Sequence, residues 1–384
     1  MSFVAGSGLP EASPRGAVLN RETRVPAANA KSGYLPALDG WRAIAILAVM
    51  FVHDPEIHRL GPLSTRPLHV FGWAGVDLFF AISGILICSR LLEEERSRGA
   101  ISLRGFYVRR AFRILPAAYA FLFGYLLLCL TGQLVFDFTG WAAAILMVRN
   151  FFGFIPPPKI YTDHFWSLSV EEHFYLLLPG LLVLVRRHRA LLLAVLAVTG
   201  CLWSMWLIPG WKNDGVLIWR TDMRLHSLLF PALLAVILFQ PAARDLFRRW
   251  LHPAVALALF AGFYFLFHRF GPDQSIRQIV IPICFPLIVA STMLHPQSLL
   301  GRALEFTPLR FVGRLSYSLY LWQQIFVIRT GGPIGAGLAH LQVFPLNYLA
   351  PFGCAIASYY LLEKRLIRAG HRLAPPATPG HPGL

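Results

Sequence analysis

Asp39, Arg42 and His53 lie inside one apolar run, LDGWRAIAILAVMFVH. A carboxylate, a guanidinium and an imidazole together can hold an anion and move a proton. A charged or titratable side chain within hydrocarbon costs at least about 2.5 kcal/mol, so such residues face a protein interior or a wet cavity and mark function. On a helix turning about 100° per residue, His53 returns to within about 20° of the direction of Arg42, and Asp39 is about 40° away. Arg42 and His53 are then roughly 16 Å apart along the axis, with Ile46, Val49 and Met50 as apolar spacers. His53 is the candidate general base, because imidazole can accept a hydroxyl proton at neutral pH. An interfacial histidine closing the helix beside Asp54 would show the same spacing. Asp54, Glu56 and His58 lack a metal-ligand pattern, and no metal is expected.

Two more constellations carry chemistry. Arg110 and Arg113 are one helical turn apart at the edge of an apolar run, where forked donors could grip phosphate. The alternative is charge anchoring at the membrane edge, the role assigned to Arg104 and Arg109. Glu171 and Glu172 are expected to open an apolar helix capped by Ser167 or Ser169, where acids favour the positive end of the helix dipole. Their catalytic reading has one carboxylate, Glu172 in preference to Glu171, orienting His53 and stabilising its imidazolium. Asp77 is an external-interface residue or a polar partner of the first span. Ser83 and Gly84 read as close helix packing, and Tyr317, Tyr320, Trp322 and Gln323 as packing or interface groups.

The elements that must position these residues are membrane helices. A hydrophobic share of 56%, a mean hydropathy of +0.56 and only 14% charged residues exclude an ordinary soluble protein, whose charged share is nearer about 25%. The net charge of +16 sits mainly in short connections, as the positive-inside rule has it, so no nucleic acid is expected. Cys88, Cys129, Cys201, Cys284 and Cys354 lie in or beside apolar runs without CxxC or metal spacing and read as packing residues. The predicted fold is all-α, a polytopic transmembrane bundle of about ten spans near 36–53, 70–89, 115–131, 173–185, 190–208, 225–239, 252–268, 279–294, 312–328 and 346–362. The segment 141–154, short and bearing Arg149 and Asn150, is then re-entrant or interfacial. Residues 1–34, without a signal-type apolar stretch, read as a disordered cytoplasmic tail, 35–370 as the transmembrane domain, and 371–384 as a second disordered tail.

Six strings in order, LDGWRAIAILAVMFVH, FGWAGVDLFFAISGILI, FYVRRAFRILPAAY, HFWSLSVEEHFYLLLPGLL, GRLSYSLYLW and SYYLLEKRLIR, span residues 35 to 368. Together they resemble the acyltransferase 3 family of polytopic bacterial membrane O-acyltransferases. The resemblance implies transfer of an acyl group, acetyl above all, from cytoplasmic acyl-CoA to a hydroxyl of a cell-surface glycan, lipid-linked saccharide or related acceptor, in the bacterial inner membrane among its lipids. Arg42 and His53 match the family's Arg-x10-His, Arg110 and Arg113 its Arg-x-x-Arg, and Glu171 and Glu172 the paired acids of its Ser-Val-Glu-Glu string. The catalytic set is thus His53, Glu172, Glu171 and Asp39, and the donor-binding set Arg42, Arg110 and Arg113.

This sequence departs from the family pattern at three places. His173 stands where Gln is usual, Gln323 where many members have His, and Arg365 where Pro is frequent. The first two bear on the acceptor. A soluble hydrolase-like domain, which some members append, is not expected here. The alternative function is a transporter or flippase for a polar or anionic substrate, its charges lining a path, although neither repeated halves nor paired broken helices mark one.

The arginine-rich stretch from Arg90 to Arg113 places both termini in the cytoplasm and the segment after Asn150 outside. A reporter fused near Lys159 is expected on the external side in a sidedness assay, and a cytoplasmic signal would break this threading.

Overall fold

In the computed structural model, which describes residues 35–54, 67–152, 160–207, 217–270, 274–328 and 334–375, every regular element among those residues is helical. The first half comprises α1 (Pro36–His53), α2 (Pro67–Arg98), α3 (Leu103–Leu130), the short α4 (Phe138–Ile145), α5 (Phe165–Leu184), α6 (Arg189–Leu207) and the single turn α7 (Thr221–Arg224). Next come α8 (His226–Phe239), α9 (Pro241–Trp250), α10 (Pro253–Phe270) and α11 (Gln274–Leu294). The chain closes with α12 (Leu299–Leu304), α13 (Thr307–Val327), α14 (Ala336–Leu341), α15 (Leu346–Ala357), a π-helical turn at Ser358–Glu363, and α16 (Lys364–Leu373). The expected tail at 1–34, and residues 376–384 of the one expected at 371–384, lie outside the described residues. The helix α16 carries regular structure through Leu373.

By length and composition, five described helices (α1, the Ala74–Arg98 part of α2, α3, α5 and α6) can cross a membrane. The pair α8 and α9, bent by 108°, would make a sixth as one broken span. Ten spans are not established by this test, because several apolar runs fold into shorter or bent helices; α8, with 14 residues, is about 21 Å long. The membrane character is plain in what stays uncovered. On α6, Leu191, Val195, Leu202 and Trp206 are exposed, a stripe that suits hydrocarbon.

The arginine-rich segment expected as a loop is mostly helix. Glu93–Arg96 and Glu94–Arg98 pairs, spaced three and four residues apart, support the end of α2. Ser102 then caps α3 by accepting the Gly105 N–H at 3.1 Å. The helix α3 is 28 residues, about 42 Å, longer than a hydrocarbon layer of about 30 Å.

The segment 141–154 holds α4, eight residues or about 12 Å, too short to cross. Met147 at φ 54° breaks the chain direction, and a 3-10 turn follows at Arg149–Phe151. Arg149 is buried in an ion pair with Asp163, while Asn150 donates to Thr221 Oγ1 at 2.8 Å.

α1 sits at the centre, packed most closely on α2 and α13. Close approach requires glycine at the contacts: a methyl at Gly75 would stand 2.7 Å from the Ala45 carbonyl oxygen, and one at Gly313 would overlap the carbonyl of Asp39. Gly84 likewise admits the backbone of α8, as its small-residue setting implies. All five cysteines are free.

Gly313→Ala is expected to lower stability by about 1–3 kcal/mol, as overpacking does. Thermal unfolding in detergent checks this against Gly180→Ala, whose added methyl meets nothing within 4 Å and should be neutral or mildly stabilising.

Candidate active site

A cavity of about 140 Å³, far larger than one water needs, opens among α1, α2, α3, α5 and α13. Arg42, Arg110, Arg113 and Glu171 all line it, so four of the seven residues singled out in the sequence converge from three helices. Their states differ. Arg42 Nη1 donates to Asp39 Oδ1 at 2.9 Å, which makes Asp39 a partner of Arg42 three residues on. Arg110 and Arg113 have no carboxylate within ion-pair distance among the described residues. The guanidinium of Arg110 lies over the rings of Tyr175 and Phe106, at 5.0 and 5.7 Å from their centroids. Neighbouring arginines are neutralised: Arg109 meets Glu94 at 3.2 Å, and Arg189 and Arg186 share Glu95. This contrast separates a pair available to an outside anion from simple anchors. The positive field extends to His371 on α16, whose imidazole is held below its ordinary pKa by burial and by Arg109 and Arg113.

The paired acids lie deeper in their helix than expected. α5 begins at Phe165, so neither Ser167 nor Ser169 caps it, and Glu171 and Glu172 are in its second turn, away from the positive end of the dipole. Ser169 Oγ donates back to the Phe165 carbonyl, and Ser167 Oγ meets Tyr320 OH at 2.6 Å. Glu171 faces the cavity and accepts from Ser83 Oγ at 2.9 Å, with Arg110 and Arg42 as charged neighbours. Glu172 is not part of the cavity wall, and its Oε1 is buried without a hydrogen-bond partner among the described residues.

His53 ends α1, and its partner is an amide rather than Glu171 or Glu172: Nδ1 lies 3.2 Å from Gln323 Oε1. Gln323 Nε2 donates to Gln324 Oε1 at 3.3 Å, which turns the Gln323 oxygen toward the imidazole. In this network Nδ1–H donates and Nε2 keeps its lone pair, the tautomer a base needs. Asp54 is engaged elsewhere, accepting from Asn347 at 3.2 Å and Tyr348 at 2.7 Å, and Glu56 and His58 lie outside the described residues. Asp77 pairs with Arg224 of α7 rather than with the first span.

The faces of α13 and α5 join the two ends. Ser316, Tyr317 and Tyr320 line the cavity, and Gln323 is the next turn of that α13 face. Sequence reasoning assigned Ser83, Tyr320 and Gln323 to packing, and their hydrogen bonds to Glu171, Ser167 and His53 cross 88, 153 and 270 residues. The departure at position 323, where related chains often carry His, was the one sequence signal for Gln323.

The sequence profile of an acyltransferase domain, that of the acyltransferase 3 family, matches residues 35–362, and the chain belongs to this family. It is 28% identical over 363 residues to the peptidoglycan O-acetyltransferase OatA of Listeria monocytogenes, covering 88% of this chain and 56% of the relative. It is 29% identical over 365 residues to the putative peptidoglycan O-acetyltransferase YrhL of Bacillus subtilis, with 88% and 56% covered. With the O-acetyltransferase OatA of Staphylococcus aureus, identity is 30% over 365 residues, with 88% and 58% covered. The chain therefore spans a little over half the length of these relatives. No solved structure matches.

Gln323→Leu removes the acceptor that orients His53 and is expected to lower the acyl-transfer rate by roughly 10- to 100-fold, while Gln323→Glu, which keeps an acceptor, retains most of it. Turnover of both variants at saturating donor checks the pairing, and an unimpaired Gln323→Leu would refute it.

Proposed function

We propose that this chain is a membrane O-acetyltransferase that moves an acetyl group from acetyl-CoA to a hydroxyl of a cell-wall or cell-surface glycan, lipid-linked saccharide or related acceptor. One observation carries the reading: two guanidinia without an ion pair among the described residues, Arg110 and Arg113, open onto the same cavity as Arg42 and Glu171. CoA is a polyanion, and forked guanidinium donors match its diphosphate and phosphate. The acetylating relatives support the acetyl group and a glycan acceptor.

Donor and acceptor have separate ends. The arginine end opens to the cytoplasm, the side the positive-inside rule assigns to it, and receives acetyl-CoA. Glu171 belongs to this donor half: held by Ser83, it positions Arg110 and Arg42 without cancelling Arg113. The pantetheine arm between diphosphate and sulfur has about a dozen backbone bonds and reaches roughly 15 Å when extended. The separation of Arg42 and His53 along α1 is roughly 16 Å, so an arm held at the arginines delivers its thioester to the histidine end. There His53 Nε2 takes the proton of the acceptor hydroxyl as its oxygen attacks the acyl carbon. Binding at the arginines and oriented proton transfer at His53 supply proximity and base catalysis.

Arg110→Ala and Arg113→Ala are each expected to weaken acetyl-CoA binding by about tenfold or more, with a steeper loss for the double variant. His53→Ala should keep that binding and lose transfer by roughly 10²- to 10⁴-fold. Binding to purified protein by calorimetry, with transfer followed by free-thiol release, separates these effects. Undiminished binding in both arginine variants discards the clamp, and solute flux without thiol release would favour a transporter.

A further inference from the structure

The α5 face that lines the cavity also continues past its end. The lining on this helix runs Tyr175, Glu171, Leu168 and Ser167, and the next residue in that three-to-four step is His164, whose φ −59° and ψ −17° extend the helical direction. His164 is 3% exposed, and neither Nδ1 nor Nε2 has a hydrogen-bond partner among the described residues. Its ring is held by apolar edges instead: Phe121 at 5.1 Å, Phe165 at 4.9 Å and Tyr320 at 5.5 Å between centroids. His53 and Arg149 are within electrostatic reach.

Tyr320 stands between His164 and the cavity. Its ring packs against Phe79 of the cavity wall as well as against His164, at 6.2 and 5.5 Å. Its hydroxyl donates to the His164 carbonyl at 3.0 Å and meets Ser167 Oγ at 2.6 Å. Both hydroxyls at the cavity end are thus committed, and the imidazole behind them is not. An imidazole buried with both nitrogens unpaired is costly, and a catalytic role is one of the physical reasons for keeping it.

We propose that His164 is a second catalytic imidazole, which donates its ring N–H to the carbonyl oxygen of the acyl thioester when the donor arm reaches the His53 end. The proposal rests on the cavity as the acetyl-CoA site. The acceptor hydroxyl oxygen bonds to the carbonyl carbon as its proton passes to His53 Nε2, and negative charge gathers on the oxygen that His164 holds. The carbon–sulfur bond then breaks, the sulfur leaves with the electron pair and takes the proton from His53, and an ester and a free thiol result. His164 keeps its proton throughout. Its apolar surroundings strengthen that hydrogen bond, because no water competes for it.

His164→Phe preserves the aromatic packing and removes both nitrogens. In the full chain, acetyl-CoA affinity is expected to stay within about threefold of wild type while transfer falls by roughly 10²- to 10³-fold. Infrared spectra of bound acetyl-CoA labelled with ¹³C at the carbonyl supply the readout that packing alone would not move. The carbonyl band shifts to lower frequency in wild type, and that shift is lost in His164→Phe. Near-wild-type transfer together with an unchanged band in the variant overturns this proposal alone. A wild-type protein that shows neither acetyl-CoA binding nor transfer overturns the cavity reading and this proposal with it. Should His164→Phe not fold, His164→Leu carries the same comparison with the same deciding results.

Discussion

Charge inside an apolar bundle has to be closed, by a partner or by a ligand, since an ion left alone in low dielectric is strongly destabilising. Most of the buried charge here is closed internally. Arg149 is held by Asp163, Arg224 by Asp77, Arg189 by Glu95, and Glu363 accepts from Ser318 and Ser358. These pairs tie α2 to α6 and α7, and α13 to the π-helical turn, so each works as a cross-brace. Around the cavity the closure is incomplete. Arg110, Arg113, one oxygen of Glu172 and both nitrogens of His164 lack such partners among the described residues. Buried polar atoms without partners among the described residues also occur elsewhere, at Thr162 for example, so what sets the cavity apart is its pair of arginines without a carboxylate at ion-pair distance.

The braces matter because the site is assembled from helices far apart in sequence. α1 supplies Arg42 and His53 from one rigid rod, and Gly75 and Gly313 let α2 and α13 lie against its backbone. α13 then repeats the same axis on the facing side, with Ser316 and Tyr317 low on the cavity wall and Gln323 on His53. Two packed rods with fixed register hold Arg42 and His53 at constant separation, which is what proximity catalysis would require of them under the proposed function. The π-helical turn at Ser358–Glu363 serves the same end, since it aims the Glu363 carboxylate at Ser318, the residue next to the cavity-lining Tyr317.

The sequence was most informative where signals are local. Hydropathy placed α1 at 36–53, the helix the structure has, and the ordered motifs identified the family before any geometry. The arginine pair and one of the two glutamates were legible from spacing, because residues a turn apart share a face. Contacts that cross the chain were not. Nothing in the string FWSLSVEEHFY says that the helix begins at Phe165, which demotes the serines from caps and moves both acids into the second turn. Gln323 lies 270 residues from His53, and its amide, rather than a carboxylate, is the hydrogen-bond partner seen at the imidazole. Asp77 found Arg224 across 147 residues, and Glu94 and Glu95 found Arg109 and Arg189. Charge counts predicted a basic loop where these pairs and a Ser102 cap extended α2 and α3 instead.

The division of the site constrains how an acetyl group could pass from one side of the bundle to the other. α1 has 18 residues and is about 27 Å long, close to the hydrocarbon thickness, with Arg42 near its start and His53 at its end. Under the proposed function, a donor gripped at the arginines would need no rocking of helices to bring its acyl carbon to the opposite end, because its flexible arm would cover the distance. Tyr320 lines the cavity and packs against His164, and it is tied by hydrogen bonds to Ser167 and the His164 carbonyl rather than by a salt bridge. Rotation of one ring, rather than exchange of two bundle conformations, would open the way. The closed ion pairs elsewhere favour such a route, since a rocking bundle would have to break buried pairs that a moving side chain leaves intact.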